Sequence, residues 1–188
     1  LVRCAEVEIY NEFSLQHELG CHIRRSLPSG YRLQFERPVD FFFGTSSQQW
    51  VRKEIDIVMF SNGNRSAIEL KFPRNGQYPE QMFSACKDIR FLEQLVDSGF
   101  GSGYFVMAAD DPLFYRRSTV NQGIYRYFRA NVPISGLIPK PTGKTNDSVS
   151  IRGSYAVDWR PAGNLIRYCI VAVNPWQTRK EEQTHASS

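Results

Sequence analysis

Two alternating stretches joined by an Asn-Gly pair constrain this chain more than anything else in it. Lys53-Glu-Ile-Asp-Ile-Val-Met-Phe60 and Arg65-Ser-Ala-Ile-Glu-Leu-Lys-Phe72 both interleave apolar with polar residues, the pattern of half-buried strands. Asn62-Gly63 between them is the strongest short hairpin signal, because both central residues of a type I′ turn take positive φ. A two-residue turn there sets Ser61 opposite Asn64, and a symmetric four-residue loop gives the same register. Counting back along both strands, Asp56 stands opposite Glu69 and Glu54 opposite Lys71, all four on one face of the hairpin. Ile55, Ile57 and Met59, with Ile68, Leu70 and Phe72, take the other face into a core.

Opposed residues have Cβ atoms about 4.5–5.5 Å apart, and like charges so placed repel. A cation between Asp56 and Glu69 would relieve that repulsion. Hard divalent ions such as Mg²⁺ are held by one or two carboxylates plus water and substrate phosphate. With Lys71 close by to position a water or neutralise a phosphate, the pattern points to metal-assisted hydrolysis of a phosphodiester. The plainer alternative is a solvated sheet face whose charges pair with surface arginines.

Glu54-Ile-Asp56 followed by Ile68-Glu-Leu-Lys71 resembles the signature of the PD-(D/E)xK, or restriction-endonuclease-like, nuclease superfamily. The motif is short, and Glu54-Ile55 stands where the name-giving variant carries a proline. The resemblance implies an α/β fold: an αβββαβ core with a central mixed sheet flanked by helices, here with extra C-terminal strands. It further implies Asp56 and Glu69 as ligands of Mg²⁺ or Mn²⁺, Lys71 as the catalytic lysine, and a nucleic-acid substrate, DNA rather than RNA. Family members also place a helper on the second long helix, for which Gln81 is the candidate, and an acid on the first helix. Glu18, at the edge of that helix's apolar stripe, is the favoured acid; Glu12, Glu36 and Glu54 are its rivals. A catalytically silent binding module on the same fold is the alternative function.

The remaining chain supplies elements in that order. A helix is expected over 11–27, N-capped by Asn11 and striped by Leu15, Leu19, Ile23 and Leu27. A strand over 31–36, a loop over 38–49 carrying Phe41-Phe-Phe43, and the hairpin follow. A second long helix spans 80–97, with Gln81, Ala85, Asp88 and Leu92 on one stripe. Asp88, polar on an apolar face, reads as a structural acceptor for a backbone or arginine group. A strand over 103–108, a short helix over 120–130, a surface loop over 133–147 and a closing pair of strands over 149–159 and 165–173 complete the domain, residues 1–176. Residues 177–188 form a polar tail of the kind that stays disordered.

At 188 residues and 41% hydrophobic content, one domain can bury its own core. The net charge of +4 suits a nucleic-acid partner without requiring one. Cys4, Cys21, Cys86 and Cys169 are scattered, and His17, His22 and His185 form no ligand pair, so neither a zinc site nor a disulfide framework is indicated. Reduced thiols fit a cytoplasmic location. No apolar run of about 18 residues exists to span a membrane. Basic and aromatic residues interleave over 114–144, among them Tyr125-Arg-Tyr-Phe-Arg129, Lys140 and Lys144, as a nucleic-acid path or as one buried and one wet helix face. A chain without an initial methionine leaves open a homodimer or fusion to a larger protein.

Overall fold

The computed structural model describes residues 8–44, 48–74, 76–117, 122–143, 147–163 and 166–176. Cys4, Lys144, His185 and the 177–188 tail lie outside the described residues. Helix α1, Glu12–Ser26, starts at Asn11, whose side chain accepts from the Ser14 amide while Ser14 caps back onto Asn11. Strand β1 (Arg32–Pro38) leads to a short helix α2 (Asp40–Phe43), where a loop was expected. Then come β2 (Glu54–Phe60), β3 (Arg65–Lys71), helix α3 (Tyr78–Asp97) and β4 (Ser102–Ala109). The order of these major elements is αβββαβ, with β1, β2 and β3 antiparallel and β4 parallel to β3.

The hairpin register is the expected one: Ile57 pairs with Ile68 and Phe60 with Arg65. The turn differs in detail, since Gly63 alone of the central pair takes positive φ, 103°. Ser61 and Asn64 are still joined by a backbone hydrogen bond of 2.9 Å, which fixes the register. The pairing ends at Ile57–Ile68, so neither Asp56 with Glu69 nor Glu54 with Lys71 forms a ladder pair; Glu54 pairs instead with Pro38 on β1.

Beyond β4 the expected closing pair is rearranged. Helix α4 is only Tyr125–Arg129, and within 133–147 the chain forms a strand, β5 (Ile134–Pro139). Buried Ile134 and Ile138 anchor it, and its proline sits at the last position, where a missing amide costs no ladder bond. Strand β6 (Ser148–Tyr155) pairs with β5 as a separate two-stranded sheet. The strand that turns back through Ala162 is the two-residue β7 (Arg160–Pro161), and it pairs with β8 (Arg167–Val173), which closes on β4. The main sheet therefore runs β1-β2-β3-β4-β8-β7.

Helix α1 covers one face of that sheet, where Leu19 and Ile23 meet Leu33, Phe35, Ile57, Ile68 and Leu70. Helix α3 covers the other, and the β5–β6 sheet packs on α3 in turn. This double cover explains why α3 buries Met82, Phe83, Cys86, Ile89, Phe91, Leu92 and Leu95 almost all round, a pattern seen only in enclosed helices. Two of the acids on this enclosed helix are buried, Asp88 and Glu93, five residues and so roughly 140° apart. Glu93 faces the small sheet and accepts from the amides of Arg152 and Gly153 and from the Tyr155 hydroxyl. Asp88 faces the main sheet.

Glu93 thus ties the β5–β6 sheet to α3 through two backbone amides and a tyrosine hydroxyl. Glu93→Ala should lower stability by about 3 kcal/mol, since it strands several buried donors at once. Amide exchange should quicken across β5 and β6 while β2 and β3 stay protected; uniform protection would contradict this role.

Candidate functional site

Strand β3 is buried on both faces, yet it carries Glu69 and Lys71, 1% and 9% exposed. Central strands of this kind are normally continuous apolar runs, so charges there need a local reason. The reason lies at the point where β2 and β3 stop pairing. The Leu70 amide, left without a ladder carbonyl, donates to Asp56 Oδ2 at 2.6 Å. The Asp56 amide donates in turn to Glu69 Oε1 at 3.3 Å. Each carboxylate thereby bonds a backbone amide at the split; Asp56 also borders two surface openings, which the buried Glu69 does not line.

Side chains from both covering helices reach Lys71 at the end of β3. From α3, Asp88, with no exposed surface, bonds Arg52 and lies 3.4 Å from Lys71 Nζ, close enough for an ion pair although its Oδ2 makes no hydrogen bond. Arg52 also lies 3.8 Å from Glu69. From α1, Glu12 accepts from the Phe72 amide at 3.1 Å and lies 3.9 Å from Lys71. Gln16, one turn on from Glu12, donates to the Asp56 carbonyl at 2.9 Å and to the carboxylate of Glu36. Glu36 takes a left-handed backbone, φ 47°, a conformation that costs a non-glycine residue about 1 kcal/mol and clusters at functional sites.

The sequence-derived set is therefore partly assembled. Asp56, Glu69 and Lys71 come together, with Asp88 holding an arginine as expected and Lys71 besides. The acid from α1 is Glu12, not Glu18: Glu18 contacts His17 at 3.9 Å and reaches none of the acids or cations of the cleft. Near the helix start, Glu12 overlies the end of β3, whereas Glu18 lies almost two turns further along. Gln81 is half-buried and makes no side-chain hydrogen bond to Asp56, Glu69 or Lys71; Asp88, two turns further along the same stripe, fills that place. Glu54 is exposed on the β1 side. Sequence reasoning passed over Arg52, which lies in irregular chain without periodicity, and Gln16, whose spacing of four from Glu12 was the available signal.

The basic and aromatic stretch serves mostly as structure. Ile124, Tyr127 and Phe128 are core, as the plainer reading expected. Arg129, expected on the wet face, is buried over the Tyr125 ring and donates to the Leu113 carbonyl, whereas Arg126 remains exposed. Lys140 pairs with Glu80 at 3.7 Å. Phe42 and Phe43 pack on the core, while Phe41 stays half-exposed beneath the Arg37 guanidinium.

Two openings that share Glu36 and Asp56 in their linings border the site. One, about 30 Å³, is lined by Glu12, Phe13, Gln16, Glu36, Asp56 and Leu70, and is large enough for one water or ion. The other, about 500 Å³ and open to solvent, is lined by Glu36, Val51, Arg52, Lys53, Glu54 and Asp56. Burial is the main cause that pushes the Asp56 carboxyl up to about 7, with Asp88, Glu12 and Glu36 adding repulsion against the Leu70 hydrogen bond. Burial likewise raises Glu69 well above the carboxylate range, reinforced by Asp56 and Asp88 and opposed by Arg52. Asp88 is also raised by burial, with Lys71 and Arg52 pulling the other way.

Five carboxylates (Glu12, Glu36, Asp56, Glu69 and Asp88) thus surround two cations, Lys71 and Arg52. Among the described residues no three His, Cys, Asp or Glu side chains form a ready metal cage. The donor chemistry fits a different type of centre: hard oxygen ligands in excess negative charge, with Asp56 Oδ1 free of any hydrogen bond to protein. Such a pair suits Mg²⁺ or Mn²⁺, which keep most of their water, and not zinc. No family model matches the chain, and no significant match was found among curated proteins or solved structures.

The raised acids set a pH dependence. An acid whose folded pKa lies above its unfolded one keeps its proton longer in the folded state, so its stabilisation is complete at low pH and is lost as pH rises through the folded value. In a chelating buffer the protein should therefore lose stability between about pH 4 and about pH 7 through Asp56, with Glu69 and Asp88 acting in the same direction. Asp56→Asn removes one such group, so its melting temperature should gain on the wild type as pH rises; parallel curves would contradict the assignment.

Proposed function

We propose that this protein is a metal-dependent nuclease that hydrolyses phosphodiester bonds, in DNA rather than RNA. The observation that carries the reading is the split between β2 and β3, where Asp56 and Glu69 are held by backbone amides beside a buried lysine. A divalent cation bound by Asp56 and Glu69 would supply charge neutralisation for a phosphate and acidify a water molecule. Lys71, fixed between Glu12 and Asp88, is placed to orient that water and to offset charge building on phosphate oxygens. In the reaction, the water oxygen forms a bond to phosphorus while the bond from phosphorus to the sugar oxygen breaks. The water proton passes to a neighbouring base or solvent, and the leaving oxygen is protonated. Arg52 and Lys53, lining the open cleft, give the flanking phosphates cations to lie against.

Arg52 is also the observation that favours a second reading. Its guanidinium already bonds Asp88 and approaches Glu69, so the acids and bases form a partly self-neutralising network, as in a fold used only for binding. That reading leaves Asp56 and Glu36, among the described residues, without an ion-paired cation, whereas Glu12 lies 3.9 Å from Lys71. Cleavage decides between the two. With Mg²⁺ or Mn²⁺ and a mixed set of DNA substrates, the wild type should cut, and Asp56→Asn and Lys71→Ala should each lose roughly 100-fold or more of the rate. Both variants should keep the wild-type circular dichroism. Full activity in both folded variants would end the nuclease reading; nucleic-acid binding by a wild type that never cuts would favour the silent module.

A further inference from the structure

Beside the buried acids one side chain breaks the folding pattern of its helix. Phe13 is 75% exposed, although it lines the small opening together with Glu12, Glu36 and Asp56. The stripe that α1 buries runs through Leu15, Leu19 and Ile23. Phe13 lies two residues, roughly 200° around the helix, from Leu15, so packing on the sheet does not account for it. Asn11 and Ser14 already complete the cap, so helix initiation does not account for it either. Tyr10, three residues earlier, is 56% exposed and places a second ring at the same helix end.

Across the acids the surface changes character. The open cleft of about 500 Å³ presents Arg52 and Lys53 and shares Glu36 and Asp56 with the opening that Phe13 lines. Cations on one side of the acids and a bare aromatic ring on the other form a short track: phosphate contacts, then the carboxylates, then a stacking surface. Backbone-tracking cations beside exposed rings are what unpaired nucleic acid requires, because each base there has a face free to stack. In a duplex those faces are already stacked within the helix, and an exposed ring gains little.

We infer that Phe13 is a substrate-positioning residue that stacks on an unpaired base next to the phosphate at Asp56, and that the preferred ligand is single-stranded nucleic acid. The inference rests on the nuclease reading for the identity of the ligand class. It goes further by choosing single strands over duplex and by assigning the choice to one side chain. Phe13 holds the base; Arg52 and Lys53 hold the backbone; Glu12, next to Phe13, links the ring's position to Lys71.

The test is fluorescence anisotropy with the full chain in Ca²⁺, using a labelled 15-nucleotide DNA strand, RNA of the same sequence, the matching DNA duplex, and a strand carrying consecutive abasic sites. Wild type should bind the single strands about tenfold more tightly than the duplex. Phe13→Ala should lose about tenfold on single strands and nothing on duplex or abasic DNA, while Phe13→Trp should bind at least as well as wild type. Leu137→Ala, which trims an equally bare side chain on β5, should change nothing. An unchanged single-strand affinity in Phe13→Ala, an equal loss on abasic DNA, or tighter binding to duplex would overturn the role of Phe13 while leaving the nuclease reading in place. Failure of wild type to bind any of the four probes would overturn both. Because Phe13 is so exposed, its loss does not threaten the fold, and matched melting curves check this directly.

Discussion

Two hydrogen bonds between a side chain and a backbone amide organise this protein: Leu70 N–H to Asp56, and Asp56 N–H to Glu69. They stand where a regular ladder would have placed carbonyls, so β2 and β3 separate without leaving buried amides unpaired. The separation lets α1 and α3, which cover opposite faces of the sheet, both reach the same few residues. Glu12 arrives from one side and Asp88 from the other, and Lys71 is held between them. The opening beside Asp56, its charge and its access all follow from ending one hairpin three pairs early.

That arrangement works against stability. Buried carboxylates lose their hydration, and mutual repulsion adds to the loss; hence the upward shifts at Asp56, Glu69 and Asp88. Lys71 and Arg52 offset part of it. The enclosure of α3 between two sheets supplies the compensating apolar burial, and Glu93 secures the outer sheet that makes the enclosure complete. A divalent cation, as the nuclease proposal requires, would relieve part of the remaining negative charge. The nuclease proposal builds on that imbalance.

Much of this was legible in the sequence, for identifiable reasons. Alternation and Asn-Gly determine the hairpin register, which sets Asp56, Glu69 and Lys71 near one another. The α1 acid was not legible, because Glu18 borders the apolar stripe, while Glu12, nearer the stripe's centre, sits in the first turn, where acids commonly stabilise the helix end. Choosing between them needs the axial placement of the helix over β3. Arg52 was missed because irregular chain has no period to read, and the β5–β6 sheet because proline and glycine masked the buried Ile134 and Ile138. Asp88 reads from sequence as out of place on an apolar face, an acceptor for a backbone or arginine group, and the structure supplies the arginine. Its second contact, with Lys71, depends on which turn of α3 faces the end of β3.

The central claim is that the acids at the split form a seat for a divalent cation. Calorimetric titration of Mg²⁺ and Mn²⁺ into wild type and Asp56→Asn tests it most directly. Saturable binding to wild type that disappears in the variant is the predicted result. Absence of binding to wild type, or binding that Asp56→Asn leaves unchanged, would contradict it and reduce the buried charges to a structural network.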